Sequence, residues 1–196
     1  MEQGTVIFLN GASSSGKTTI ARALLGMLDE VYLTLAVDDF VTTLLRPYLA
    51  PQEGFVPPDG LEEAVNAYLP AMAAAYHHAV ATLAGRGANV IIDHVLQDPA
   101  WLYECVTLLA GAPVLFVGVR CPLDELERRE AERDREPGTA RYQYERVHAH
   151  GLYDVEVDTA ADDVQACAAR IVAALRTLEP RTSAFRRLRA RYAGAD

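Results

Sequence analysis

The segment Gly11-Ala12-Ser13-Ser14-Ser15-Gly16-Lys17-Thr18 reads G-x-x-x-x-G-K-[ST] without a mismatch. Small residues at those positions let successive backbone N–H groups converge on one point, at the positive end of the helix that follows. Such a point holds phosphate. Lys17 is placed to reach the β and γ phosphates of ATP, and the Thr18 hydroxyl, followed by Thr19, to meet its Mg²⁺. Of the 18 basic residues, 17 are Arg, so the single Lys stands at the one position of the motif that demands that side chain.

Carboxylates come next. Asp38 and Asp39 close one apolar run and Asp93 closes another, and ligands of open parallel sheets bind beyond such strand ends. Phosphoryl transfer to an alcohol needs one carboxylate to accept the hydroxyl proton and another to hold Mg²⁺, directly or through water. Asp38 is the candidate base. Asp93, after Val90-Ile91-Ile92, is the candidate metal-holding acid, with Thr18 as its partner. Asp39 precedes the helical run Phe40–Leu45 and suits a helix cap. His94 reads as a packed side chain, and the pair His77-His78 has no matching ligands in sequence that would make it a metal site.

Cations that steady the moving phosphoryl group are expected in a charged stretch, 127–146, broken by Pro137-Gly138. Arg128, Arg129, Arg133, Arg135 and Arg141 crowd there, interleaved with Glu127, Glu130, Glu132, Asp134 and Glu136 at salt-bridge spacing. Most of these arginines are expected to pair with surface acids. Arg133 and Arg135 are the candidates to reach the nucleotide and act in transfer, with Arg129 as a further contact; their planar guanidinium groups suit phosphate oxygens.

Positioning these groups requires short buried strands alternating with helices. Thr5–Asn10, Tyr32–Asp38, Asn89–Asp93, Pro113–Arg120 and Tyr153–Asp158 read as strands. Helical patterns occupy 16–28, 61–85, 99–110, 122–135 and 161–178. The alternation predicts an α/β sandwich of right-handed crossovers. Arg46–Gly60 holds four of the ten prolines and reads as a loop. Residues 1–180 form the expected kinase domain with a lid over 127–146, and 181–196 a basic tail with Phe185, Leu188 and Tyr192 on one helical face.

Composition excludes several classes. With 51% apolar and 23% charged residues the chain can build a core. Its net charge of −9 argues against nucleic acid as the main partner. That charge is uneven, at −13 over residues 1–180 and +4 over 181–196. Three cysteines in apolar or helical surroundings suit reduced thiols. With neither a signal-like start nor a stretch approaching the ~20 apolar residues of a membrane span, the expected location is the cytoplasm, away from membranes. The basic tail leaves room for a homo-oligomer.

The segments Val6–Ile20, Ala36-Val37-Asp38, Asn89–Val95, Leu115–Cys121 and Gly151–Thr159 together resemble chloramphenicol phosphotransferase. The likeness runs from about Thr5 to Leu178 in one order. It implies a P-loop NTPase fold, a three-layer α/β/α sandwich whose five-stranded parallel sheet has the order 2-3-1-4-5. It also implies Asp38 as the base, and the primary hydroxyl of chloramphenicol as acceptor. The sequence departs from the family pattern at Asp39 and His94, in Arg46–Gly60 and in the basic tail. The function these residues imply is ATP-dependent phosphorylation of a small hydroxylated molecule, an antibiotic or, alternatively, a metabolite, nucleoside or nucleotide sugar. A non-catalytic nucleotide-binding switch is disfavoured, since a chain whose one Lys is Lys17 has no N-K-x-D for guanine recognition and a candidate base favours turnover.

Overall fold

A computed structural model describes residues 2–49, 56, 59–133 and 138–193. Its elements, in chain order, are β1 (Val6–Asn10), α1 (Lys17–Leu25), β2 (Tyr32–Ala36), α2 (Val37–Leu49), α3 (Leu61–Gly85), β3 (Asn89–His94) and α4 (Pro99–Leu108). There follow β4 (Val114–Arg120), α5 (Leu123–Glu132), α6 (Thr139–Tyr144), β5 (Val155–Asp158), α7 (Val164–Arg176) and α8 (Ala184–Ala193). The five strands form one parallel sheet of order β2-β3-β1-β4-β5, with helices on both faces. This is the P-loop sandwich expected from the sequence.

The central strands β1, β3 and β4 are largely apolar on both sides because both sides are covered, whereas the edge strands β2 and β5 are partly exposed. Successive residues of β1 serve different layers. Val6 and Phe8 join Tyr76, Val80, Phe116, Phe185 and Leu188 under α3, α4 and α8. Ile7 and Leu9 join Ile20, Leu24, Val117, Val119 and Ile171 under α1 and α7. Phe185 and Leu188 of the basic C-terminal segment are thus buried in the first layer, with Tyr192 ringed against Tyr103 of α4. Side chains of ~1.5–3 kcal/mol burial value each tie that helix to the domain. Gly118 is required at its place in β4, since a Cβ there would meet the Tyr153 ring at 2.8 Å.

Two boundaries differ from the sequence reading. β2 ends at Ala36 and α2 begins at Val37 with no loop between them. Asp38 and Asp39 therefore lie in the first turn of a helix rather than at a strand end, and Asp39 follows the helix start instead of capping it. Acids there still suit the positive end of the helix dipole. α2 also runs on to Leu49 through Pro47, so Arg46–Leu49 is helix; Pro51, Phe55, Pro57 and Pro58 lie outside the described residues. A short helix, α6, follows the charged stretch, entered through Gly138 at φ 96°. No helix among the described residues is long and apolar enough to cross a membrane.

Three histidines are held neutral. Burial, with His77 and Lys17 nearby, lowers His94 far below its ordinary value. Burial, then Arg120, brings His148 to about 3 and His150 to about 4. Their unfolded forms titrate near ~6.5, so the unfolded chain binds more protons below that pH. Stability is therefore full above pH ~6.5 and falls as the pH drops toward the folded values. We expect the urea midpoint to fall between pH 7 and pH 5, above the range where ordinary carboxylates titrate. A midpoint flat over that window would contradict the burial of neutral imidazoles.

Candidate active site

Parallel register sets the end of β1 beside the end of β3, pairing Leu9 with Asp93. The chain leaving β1 turns through Gly11–Gly16 into α1. Gly11 must be glycine because a Cβ would lie 2.6 Å from Val119 O. Ser14 at φ 63° and Gly16 at φ 90° make the turn left-handed. For Ser14 that conformation costs about 1–3 kcal/mol, a strain concentrated where the loop must curl.

The loop is rich in donors without acceptors. The first amide of α1 that is satisfied is Ile20 N, to Gly16 O at 3.0 Å. The amides of Gly16, Lys17, Thr18 and Thr19 have no acceptor among the described residues. The Ser14 and Ser15 hydroxyls are buried without partners. Lys17, 6% exposed, donates to Ala12 O at 2.9 Å and lies 3.5 Å from the Asp93 carboxylate. The Thr18 hydroxyl donates to the other Asp93 oxygen at 2.7 Å. Convergent amides, orphaned hydroxyls and a buried ammonium fit a polyphosphate. The all-oxygen pair Thr18 and Asp93 fits Mg²⁺.

Ser13, Ser14, Gly16, Lys17, Thr18, Thr19, Asp38, Asp93, Val95, Arg133, Thr139 and Gln143 surround this one cavity. Gly11, Ala12 and Ser15 stand behind it: Ala12 O takes Lys17, and Ser15 O takes the Thr159 hydroxyl at 2.9 Å. A second cavity adjoins it through Gly16, Thr19 and Arg133 and is walled by Arg129, Thr159 and Asp162–Val164. Arg129 donates to Thr159 O at 2.9 Å and to Glu125 at 2.7 Å, and reaches Ser14 O at 3.5 Å, so it braces the loop from behind. Arg128 pairs with Glu125 and Glu132, and Arg141 with Glu127, on the surface. Arg135 lies outside the described residues.

α2 turns its two acids apart. Asp38 faces the phosphate cavity, whereas Asp39 faces a larger cleft of about 450 Å³ formed by α1, β2 and α2. Phe40, Thr43, Leu44, Leu25, Thr34 and Arg22 line that cleft, which meets the phosphate cavity at Thr18 and Asp93. Of the apolar residues of α2, Phe40 and Leu44 contribute; Val41 and Tyr48 do not line it.

Several site residues were not singled out from the sequence. Glu130 is 3% exposed and accepts from Gly138 N at 2.9 Å and Ala140 N at 2.7 Å, starting α6 rather than pairing with a surface Arg. Gln143 of α6 accepts the Ser13 amide at 2.6 Å. Asn10 donates to Val147 O and Tyr153 Oη, both at 2.8 Å, and accepts from Leu96 N at 2.9 Å. No spacing rule marks these, because each partner lies across a break in the chain.

His94 gains partners that a linear reading does not supply. Val95 N donates to its Nδ1 at 2.7 Å, its Nε2 lies 2.7 Å from His77 Nε2, and His77 Nδ1 lies 2.5 Å from Glu104. Cys105 completes a buried group of possible metal ligands. With Nδ1 accepting, neutral His94 carries its proton on Nε2 and donates it to His77, which donates onward to Glu104. That proton occupies the position a metal would need, so the group is a hydrogen-bond chain.

The comparisons agree with this geometry. The chloramphenicol phosphotransferase-like protein family matches residues 4–176. A Mycobacterium tuberculosis protein, named provisionally as an O-phosphotransferase, is 34% identical over 205 residues, covering 98% of this chain and 91% of the relative. In fold, the chain resembles the M. tuberculosis APS kinase solved with AMPPNP and APS (TM-score 0.63, 18% identity, 90% of this chain and 99% of that one). It also resembles Acinetobacter baumannii shikimate kinase solved with shikimate (TM-score 0.62, 15% identity, 90% and 95%). With a donor-lined phosphate loop and this match over most of its length, the chain belongs to the chloramphenicol phosphotransferase-like family of P-loop phosphotransferases.

Proposed function

We propose that the chain transfers the terminal phosphoryl group of ATP to a hydroxyl of a small organic acceptor, chloramphenicol or a related antibiotic. The observation that carries this reading is the meeting of Lys17, the Thr18–Asp93 pair, Asp38 and Arg133 around one cavity that opens onto an apolar cleft. Mg-ATP supplies the phosphoryl donor and much of the charge neutralisation. Within the protein, the loop amides and Lys17 would hold the phosphates, Thr18 and Asp93 would hold the metal, and Arg133 lines both the phosphate cavity and the adjoining cavity walled by Arg129 and Thr159. Asp38 orients the acceptor hydroxyl and takes its proton. Arg135 completes the cationic set in this proposal. The Phe40 and Leu44 side chains suit an aromatic or chlorinated acceptor, and a cleft of about 450 Å³ is within the range of drug-sized sites.

Arg22 gives a second reading some weight. It lines the same cleft and makes no ion pair among the described residues. An anionic metabolite would use it; chloramphenicol would not. The deciding experiment is phosphate transfer from ATP tested across hydroxylated antibiotics and anionic metabolites. ATP-dependent formation of monophosphorylated chloramphenicol, lost when its primary hydroxyl is acetylated, is the expected result. Efficient phosphorylation of a metabolite with chloramphenicol ignored would remove the antibiotic reading and leave the kinase.

Two substitutions probe the machinery. Lys17→Ala should lower turnover by roughly 10²–10³-fold or more, as loss of a transition-state cation does, with the fold intact by circular dichroism. Asp38→Asn should lower turnover by roughly 10²–10⁴-fold with ATP affinity little changed. Asp39→Asn should instead alter acceptor KM. A larger turnover loss in Asp39→Asn than in Asp38→Asn would reverse the two roles.

A further inference from the structure

Gln143 is joined to the phosphate loop by a contact whose polarity chemistry fixes. The Ser13 backbone N–H is a donor, so the Gln143 atom 2.6 Å away must be the amide oxygen. The Gln143 amide nitrogen then points elsewhere, and its two N–H groups have no acceptor among the described residues. Gln143 also lines the phosphate cavity beside Lys17, Thr18 and Asp93. It does not line the adjoining cavity walled by Arg129 and Thr159. It is therefore placed at the end of the site where Lys17 and the metal-holding acid lie, the end that takes the terminal phosphate of a triphosphate.

The helix that carries Gln143 is held at both ends by buried polar side chains. Glu130 accepts the amides of Gly138 and Ala140 at its start. At its end Val147 N donates to Gln143 O at 2.9 Å, and Asn10 of β1 donates to Val147 O at 2.8 Å. Ala140 and Val147 are fully buried between them. A neutral donor fixed this firmly needs little reorganisation when a charged oxygen arrives, the condition under which such donors are most effective.

We propose that Gln143 distinguishes a nucleoside triphosphate from a diphosphate by donating its amide N–H to the terminal phosphate while its oxygen holds Ser13. The inference rests on the phosphotransferase reading of the site and adds to it a residue that reads the γ position. It concerns binding, so it is testable without knowing the acceptor.

The test measures dissociation constants of Mg-AMPPNP and Mg-ADP by calorimetry for the full chain and for Gln143→Ala and Gln143→Glu. A hydrogen bond to a charged group predicts that Gln143→Ala weakens AMPPNP by roughly 10- to 100-fold and leaves ADP within about twofold. Gln143→Glu is isosteric and can still accept the Ser13 amide, but it cannot donate and carries a negative charge. It should bind AMPPNP more weakly than Gln143→Ala does, and it carries the test if the alanine variant fails to fold. AMPPNP binding by Gln143→Glu equal to the parent's would show that Gln143 only braces Ser13 and would overturn the inference. So would an equal loss of both nucleotides. If the parent chain bound neither nucleotide, the phosphotransferase reading would fall as well. Parent binding and transfer with indifferent variants would sink this inference alone.

Discussion

The carboxylate of Asp93 is the constraint on which the site is built. It faces the ammonium of Lys17 at 3.5 Å and the hydroxyl of Thr18 at 2.7 Å, on the first turn of α1. Lys17 is almost fully buried, and a buried ammonium without a counter-charge would be expensive. The pair is possible because β1 and β3 are parallel neighbours in register, so the loop after one strand meets the acid at the end of the other. Sheet order is thus a condition of the chemistry.

Around that pair the enclosing shell is assembled from polar side chains that bridge segments distant in sequence. Asn10 ties β1 to the loop after β3 and to the segment after α6. Thr159 fastens the end of β5 to the phosphate loop through Ser15 O and to α5 through Arg129. Each is satisfied at more than one atom, which is what a buried polar group requires. The loop's own hydroxyls at Ser14 and Ser15 are the exception, unpaired where the rest is paired. Two neighbouring unsatisfied hydroxyls in the phosphate cradle are a sign of a surface shaped for a ligand.

The phosphate loop was legible in the sequence because its chemistry is carried by consecutive residues. Strands and their order were legible because central parallel strands covered on both faces carry continuous apolar runs, and because the family likeness extends across all five. What escaped was anything defined by rotation or by contact across a break. Asp38 and Asp39 look alike on paper, yet one step of about 100° around α2 separates the cavity one faces from the cleft the other faces. Glu130 reads as one more acid in a charged helix; its burial depends on Gly138 and Ala140 folding back onto it. The short α6 was hidden because the charges of its stretch speak for solvent, while only Thr139, Ala140 and Gln143 of the helix face inward.

His94 shows how the neighbourhood of Asp93 is kept electrically quiet. It follows Asp93 in β3 and is fully buried, close enough to Lys17 for that cation to lower its proton affinity further. A charged imidazole there would set a second buried cation beside Lys17. The chain through His77 to Glu104 avoids this by letting neutral His94 donate from Nε2 while its Nδ1 accepts, with the Glu104 carboxylate at the outer, partly exposed end. Protonating His94 would oppose its Nδ1 to the Val95 amide and break the chain at its inner end. Val95 itself lines the phosphate cavity. The imidazole's neutrality and the shape of the cavity wall are therefore one condition, enforced by the same hydrogen bond.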